Sequence, residues 1–356
     1  MKDKKTKKKG FLGITSRVLM LMAAGVLVLS YVSMLINPAT AWGFTLLGIM
    51  FIPLAFFNFI LLLWAIKRRS RSFVIPFLAI LPSFFFLGRY VQVDGGQEPS
   101  GEPTLKIVSY NVGRFAACEP DSVFSFLRSQ DPDVVCLQEF HVSDVDNVRR
   151  YLRRHMKGYK SEFYLFPMAD GSAFGNVTLS KMPVKDKGKI KFDESANLAI
   201  YTDYEHHDRT FRVYNCHFES YSISLPGVVR GVFNADRAVM TATGSKMKRS
   251  ITRRPQQVNM VFDDIEKCPV EAFVCGDFND DPMSYTYSRM KRGRKDSFRE
   301  AGSGFGATYA RMWPLLRIDY IMPWPASNFP NLSHKVLGVS PIRTTNIRPT
   351  KAKIPQ

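Results

Sequence analysis

A mixed α+β sandwich behind a hydrophobic, membrane-embedded N-terminal region is the architecture that the sequence predicts. Three observations predict it. Residues 18–88 are dominated by Leu, Ile, Phe, Val, Met and Ala, whereas from residue 98 onward the chain has the mixed polar and apolar texture of a globular domain. In that second part strand-like and helix-like segments alternate. Two of the strand segments, 198–204 and 211–218, lie hairpin-close in sequence.

The chain begins with a basic tail, residues 1–14, with six lysines between Lys2 and Lys9. The membrane region, 15–91, contains three runs without charge. Runs 18–36 and 41–66 are each long enough for one bilayer crossing. Run 72–88 is shorter, contains Pro76 and Pro82, and ends at Arg89, whose stem is expected to snorkel to the interface. Three transmembrane helices are therefore expected, and a cleaved signal peptide is a poor alternative because the runs are too long and too many. The lysine-rich start and the basic loop 67–71 mark the cytoplasmic side, and the uncharged loop 37–40 the outer side. The domain is then expected outside the membrane of a multi-pass inner-membrane protein. A third run that only re-enters would leave it in the cytoplasm.

Residues 92–103, rich in Gly and Pro, form a linker, and 104–356 form the domain. Strands are expected over 105–112, 134–140, 175–179, 198–204, 211–218, 272–278 and 317–322, each rich in β-branched or aromatic residues. Helices are expected over 121–129, 143–156 and 255–266, the last with Pro255 in its first turn, so that Arg253–Gln257 reads as a solvated helix start.

The formal net charge is +18, but residues 1–99 carry twelve Lys or Arg against three acids, which is half of it. Much of the basicity thus flanks apolar runs and reads as topology signal or contact with anionic lipid. The remainder suits an anionic substrate without identifying one. Five cysteines lack metal-type spacing, and their odd number argues against a disulfide-stapled fold.

Several strand segments end in polar groups. The run 271–276 releases Asp277, Asn279 and Asp280; 105–110 ends at Asn111; 134–137 ends at Gln138 and Glu139. Gly175 is followed by Asn176, segment 214–219 carries His217, and Asp319 lies inside an apolar strand, where a carboxylate is costly unless paired or bound to a cation. Oxygen donors at strand tips suit a hard cation such as Mg²⁺ and can orient a water for attack.

The order and spacing of these pieces resemble the endonuclease/exonuclease/phosphatase superfamily over residues 104–350. The matching elements are SYN at 109–111, LQE at 137–139, LSKMP at 179–183, NCHF at 215–218, GDFND at 276–280 and RIDYI at 317–321. Short hydrophobic spans before such a domain look like a membrane-anchored bacterial subgroup. The resemblance implies a four-layer α/β/β/α sandwich and hydrolysis of a phosphate ester supported by Mg²⁺ or Mn²⁺. It implies Glu139 as principal metal ligand with Asn111 beside it, Asp277 orienting or deprotonating the attacking water, and Asn279 and Asn176 on the substrate. His217 would touch the phosphate or help the leaving group, and Asp319 would assist around the metal or the histidine of the family's C-terminal motif.

The chain departs from the family at its C-terminal end. Where the family has Ser-Asp-His-x-Pro, this chain has Thr345-Asn346-Ile347-Arg348-Pro349. Asn346 stands for the Asp and Ile347 for the His, and an isoleucine transfers no proton and donates no hydrogen bond. Loss of a general acid or base costs about 10²–10⁴ in rate. Three readings stay open: a weakened hydrolase, a non-catalytic relative that binds phosphorylated ligands, or a locally altered C-terminal sequence. The reading favoured here is a membrane-anchored, Mg²⁺-dependent phosphoesterase. Its partners are the bilayer and a phosphate-ester substrate (nucleic acid, phospholipid or phosphorylated small molecule), with no obligate protein partner inferred.

Overall fold

The computed structural model describes residues 2–93, 104–206, 209–221, 237–310, 314, 316–325, 333–337 and 350–355. Thirteen strands are found among them: β1 (Val91–Gln92), β2 (Thr104–Asn111), β3 (Val134–Val142), β4 (Lys160–Pro167), β5 (Ala173–Ser180), β6 (Val184–Lys191), β7 (Leu198–His206), β8 (Arg209–His217), β9 (Glu271–Asp277), β10 (Gly304–Phe305), β11 (Asp319–Met322), β12 (Ser333–Val336) and β13 (Thr350–Pro355). They form a six-stranded sheet in the order β12-β13-β2-β3-β5-β4, a five-stranded sheet in the order β11-β9-β8-β7-β6, and the small pair β1-β10.

Alternating apolar positions explain why the two large sheets pack face to face. Leu105, Ile107, Val134 and Cys136 of the six-stranded sheet meet Val213, Phe273, Cys275 and Ile321 of the other in one buried cluster. The outer faces are covered by helices. Phe124, Leu127 and Leu152, from helices Pro120–Gln130 and Val148–His155, pack on Val108, Tyr110, Val135 and Val177. Val258, Val261 and Ile265 of helix Arg237–Glu266, with Tyr287 of helix Tyr285–Lys291, pack on Tyr214, Val274 and Tyr320. Helix, sheet, sheet and helix make four layers, the α/β/β/α sandwich.

Two expectations about the domain are corrected. Pro255 does not open a helix but lies inside one that begins at Arg237. Arg254, read as solvated, is buried there, its Nη1 2.9 Å from Asp280 Oδ2. The strands β1, β4, β6, β10, β12 and β13 were not expected. β6, VKDKGKIK, is an edge strand whose lysines face solvent.

The expectation of three transmembrane helices is also corrected. Among the described residues one helix, Ile14–Leu35, is long and apolar enough to cross a membrane. The second run is bent by 62° between Gly43–Ile49 and Phe51–Lys67, the shape of a broken span or a re-entrant loop. The third run is short, and its helices Val74–Ile80 and Ser83–Leu87 are separated at Pro82, where a ring replaces the backbone donor.

The three runs pack into one bundle. Asn58 Nδ2 donates to Ala23 O (3.1 Å), and Met20 clusters with Leu61 and Ala65, so the second run lies antiparallel to the first. Arg17 Nε donates to Ser72 Oγ (3.1 Å) and Tyr31 Oη to Ala79 O (2.7 Å), so the third runs parallel to it. The bundle's outside is apolar, with Met22, Leu21, Phe84 and Phe85 exposed. Arg89 does not snorkel outward: its Nη1 donates to Pro282 O of the domain (2.7 Å).

Candidate active site

The sandwich brings the tips of β2, β3, β8, β9 and β11 to one edge. Parallel pairing sets Asn111 opposite Gln138 and His217 opposite Asp277, and antiparallel pairing sets Asp319 opposite Asp277. Asn111, Glu139, Asp277, Asn279 and Asp319 line a cleft of about 390 Å³, together with Tyr110, Ser220, Thr308 and Tyr309.

Local backbone shape aims the two central acids. β3 carries an irregularity between Leu137 and Phe140, and within it Glu139 has φ +48°, a left-handed conformation that a residue with a Cβ adopts at a cost of about 1–2 kcal/mol. The bulge turns Glu139 into the cleft while Gln138 stays buried, donating through Nε2 to Asn215 Oδ1 (2.7 Å). Gly276 sits where β9 approaches β8 so closely that a Cβ would lie 1.9 Å from Cys216 O, which explains the glycine before Asp277. Asn279, at φ +52°, folds back so that its backbone N–H donates to Asp277 Oδ1 (2.7 Å) and its Nδ2 to Phe218 O (2.9 Å).

Asn111 joins the two sheets. Its Nδ2 donates to Glu139 Oε1 (3.1 Å) and to Asp277 Oδ2 (2.9 Å), while its Oδ1 accepts from Gly113 N (2.9 Å). His217 is buried beside them, with Nε2 3.7 Å from Glu139 Oε1 and without a hydrogen bond. Burial, and then the charge of Asp319, holds the Asp277 carboxyl above the usual carboxylate range, against the pull of His217 and Asn111. Burial, and less strongly the charge of Glu139, raises Asp319 as well, against its hydrogen bond with Thr308 and the charge of Arg317.

Other expected residues go elsewhere. Asn176 does not line the cleft: it is buried between the sheets, donating to Leu198 O (3.2 Å) and Asn215 O (3.0 Å). Asp280 points away from the cleft to Arg254, accepting also from Tyr221 Oη (2.6 Å) and Thr286 Oγ1 (2.7 Å). Asn346 and Ile347 lie outside the described residues; β13 starts after them, with Thr350 paired to Ser109 two residues before Asn111.

Thr308 was not anticipated. Its Oγ1 accepts from both Ile318 N (3.1 Å) and Asp319 N (3.0 Å), which fixes the entry to β11. A Gly-Ala-Thr-Tyr loop of small residues before RIDYI was its only trace in the sequence. Arg317 of that motif is a framework residue, buried and doubly bonded to Asp296, 2.7 Å through Nη1 and 2.5 Å through Nη2.

The model of the Endonuclease/Exonuclease/phosphatase family matches residues 108–340. The chain belongs to that family. A second model, a domain of unknown function, matches residues 11–90. No curated protein matches the chain. Among solved structures, D. rerio TDP2 complexed with a single-strand DNA product is similar at 18% identity and a TM-score of 0.51, covering 72% of this chain and 100% of that one. A family protein of Leptotrichia buccalis C-1013-b shows 15% identity and a TM-score of 0.50, with 71% and 100% covered. One from Bacteroides thetaiotaomicron shows 15% and 0.50, with 71% and 98% covered. At such identities the likeness establishes the fold.

Members of the family hydrolyse phosphate esters, in general with divalent metal ions, and the cleft fits that chemistry. Its donors, Glu139, Asn111, Asp277 and Asp319, are all oxygen-bearing and hard, and three of them are acidic. Among the described residues no three His, Cys, Asp or Glu side chains form a ready cluster for a metal.

Proposed function

We propose that the chain is a membrane-anchored, Mg²⁺- or Mn²⁺-dependent phosphoesterase. The observation that carries the proposal is the Asn111 amide bridging Glu139 and Asp277, which locks a metal-ligating carboxylate and a water-orienting carboxylate into one geometry. A divalent cation bound at Glu139 would polarise a phosphate oxygen and offset the acids' charge, with Asn111 beside it holding the two carboxylates. Asp277, burdened by burial and by Asp319, is a carboxyl suited to taking a proton from water near neutral pH. Asn279, held by Asp277 and Phe218 O, presents its face to the substrate's phosphate. His217, buried beside Glu139, would donate toward a phosphate oxygen or leaving group.

The helix Ile14–Leu35 and the apolar outside of the bundle support anchoring in a bilayer. The substrate is a phosphate ester, whether in nucleic acid, a phospholipid or a small molecule.

A second reading rests on Asn346-Ile347: a degenerate site that binds phosphorylated ligands without turnover. The 356-residue chain in detergent, assayed with and without Mg²⁺ on DNA, RNA, sphingomyelin and inositol phosphates, separates the two. Turnover abolished in Glu139→Ala supports the hydrolase. Metal-dependent binding without turnover, with activity appearing in Asn346→Asp/Ile347→His, supports the degenerate reading.

A further inference from the structure

We propose that Arg89 is a positioning residue of the cleft, through which the membrane-region helices hold both loops that flank its acids. The proposal rests on the phosphoesterase reading above. Arg89 closes the third apolar run, yet its guanidinium turns into the domain. Nη1 donates to Pro282 O (2.7 Å), three residues beyond Asn279. The group is wedged between rings, 4.8 Å from the centroid of Phe86 and 4.9 Å from that of Tyr287, which restricts its rotamers.

The backbone of Arg89 serves the other loop. Its carbonyl accepts from Arg317 Nη1 (3.2 Å), two residues before Asp319. The next residue extends the clamp: Tyr90 O accepts from Gly306 N (2.8 Å), two residues before Thr308, and Tyr90 Oη donates to Asp281 Oδ1 (3.4 Å). Val91–Gln92 then pairs as a strand with Gly304–Phe305.

Two further runs reach the same place. Ser33 Oγ donates to Met283 O (2.9 Å), and Met283 is buried among Leu27, Met34, Phe51 and Tyr90. Gly48 lies so close that a Cβ there would be 2.9 Å from Met283 O and 2.7 Å from Ser33 Oγ. Segments from all three apolar runs thus converge on successive carbonyls, 282 and 283, just past the Asp277–Asn279 turn. A buried carbonyl must keep a partner, so a donor that moves carries the loop with it. Arg89 touches no cleft atom, and what it controls is where Asn279 and Thr308 stand. Small misplacements of that kind depress turnover more than ground-state binding.

The test uses the full chain in detergent with Mg²⁺ and bis(p-nitrophenyl) phosphate. Arg89→Met should lower kcat about tenfold to a hundredfold with KM within about twofold. Arg89→Lys, which can still donate to Pro282 O, should restore most of it. Arg68→Ala, at the far end of the bundle, should leave turnover unchanged. Should Arg89→Met not fold, Gly48→Ala, which presses a methyl on Met283 O, should give the same loss of kcat. Amide hydrogen exchange over 279–286 should quicken in Arg89→Met, while 304–309, held by backbone carbonyls that methionine keeps, and the β2 and β3 amides keep their protection. Unchanged kcat and exchange would overturn the proposal, as would a loss carried by KM or not rescued by lysine. If the wild type shows no turnover, the phosphoesterase reading fails, and the exchange experiment, which needs none, still decides whether Arg89 positions the loops.

Discussion

Asp277 and Asp319 are directly paired residues of neighbouring antiparallel strands, both buried at one edge of the cleft. Two like charges so placed oppose each other until a cation or proton relieves them. Mg²⁺ should therefore raise the melting temperature, the gain approaching about 2.7 kcal/mol at a hundredfold excess over Kd. In Glu139→Ala most of that gain should vanish, a comparison that differential scanning fluorimetry provides. An equal Mg²⁺ response in both proteins would place the ion elsewhere.

Glu139 should be held in its left-handed conformation at the expense of stability. Glycine adopts φ +48° freely, so Glu139→Gly should be more stable than Glu139→Ala by about 1 kcal/mol in urea unfolding, with both inactive. Equal stability would mean that the bulge relaxes when the carboxylate is gone.

Asp281 gives the fold a pH dependence away from the reacting groups. Burial, followed by the charge of Asp280, raises its carboxyl to about 7. Its folded value exceeds its unfolded one, so the stability it contributes is complete below about pH 4 and is lost as pH rises through about 7. Asp281→Asn keeps an acceptor for Met283 N and Tyr90 Oη and should flatten that part of the stability profile. An unchanged slope between pH 4 and 7 would count against the buried protonated carboxyl.

The ion pair of Arg254 and Asp280 stiffens the turn on which Asn279 sits. Arg254→Met leaves Asp280 buried without its cation and should cost about 3–5 kcal/mol, whereas Arg254→Met/Asp280→Asn should recover part of it. Chemical denaturation of the two variants measures both numbers.

How much of this was legible in the sequence differs by element. The strand ends carrying Asn111, Glu139, His217, Asp277 and Asp319 could be read because apolar runs stop abruptly at polar residues, and the structure gathers those residues at one edge. The edge strands β4 and β6 could not, since their lysines, acids and aromatics mimic a solvated loop. Arg254 and Arg89 were misread for one reason: a basic residue beside a helix or an apolar run looks solvated until its long-range partner is known. Those partners, Asp280 and Pro282 O, lie 26 and 193 residues away. The three apolar runs were counted by length, which does not register the bend at Met50 or the break at Pro82.

The central claim is that this cleft hydrolyses phosphate esters through Asp277. Its most direct test is kcat/KM on an activated phosphodiester with saturating Mg²⁺, for the unaltered chain and for Asp277→Ala. Loss of a general base predicts a fall of about 10²–10⁴ in the variant, with wild-type turnover abolished by EDTA. Equal rates in the two proteins, or wild-type turnover indifferent to EDTA, would contradict it.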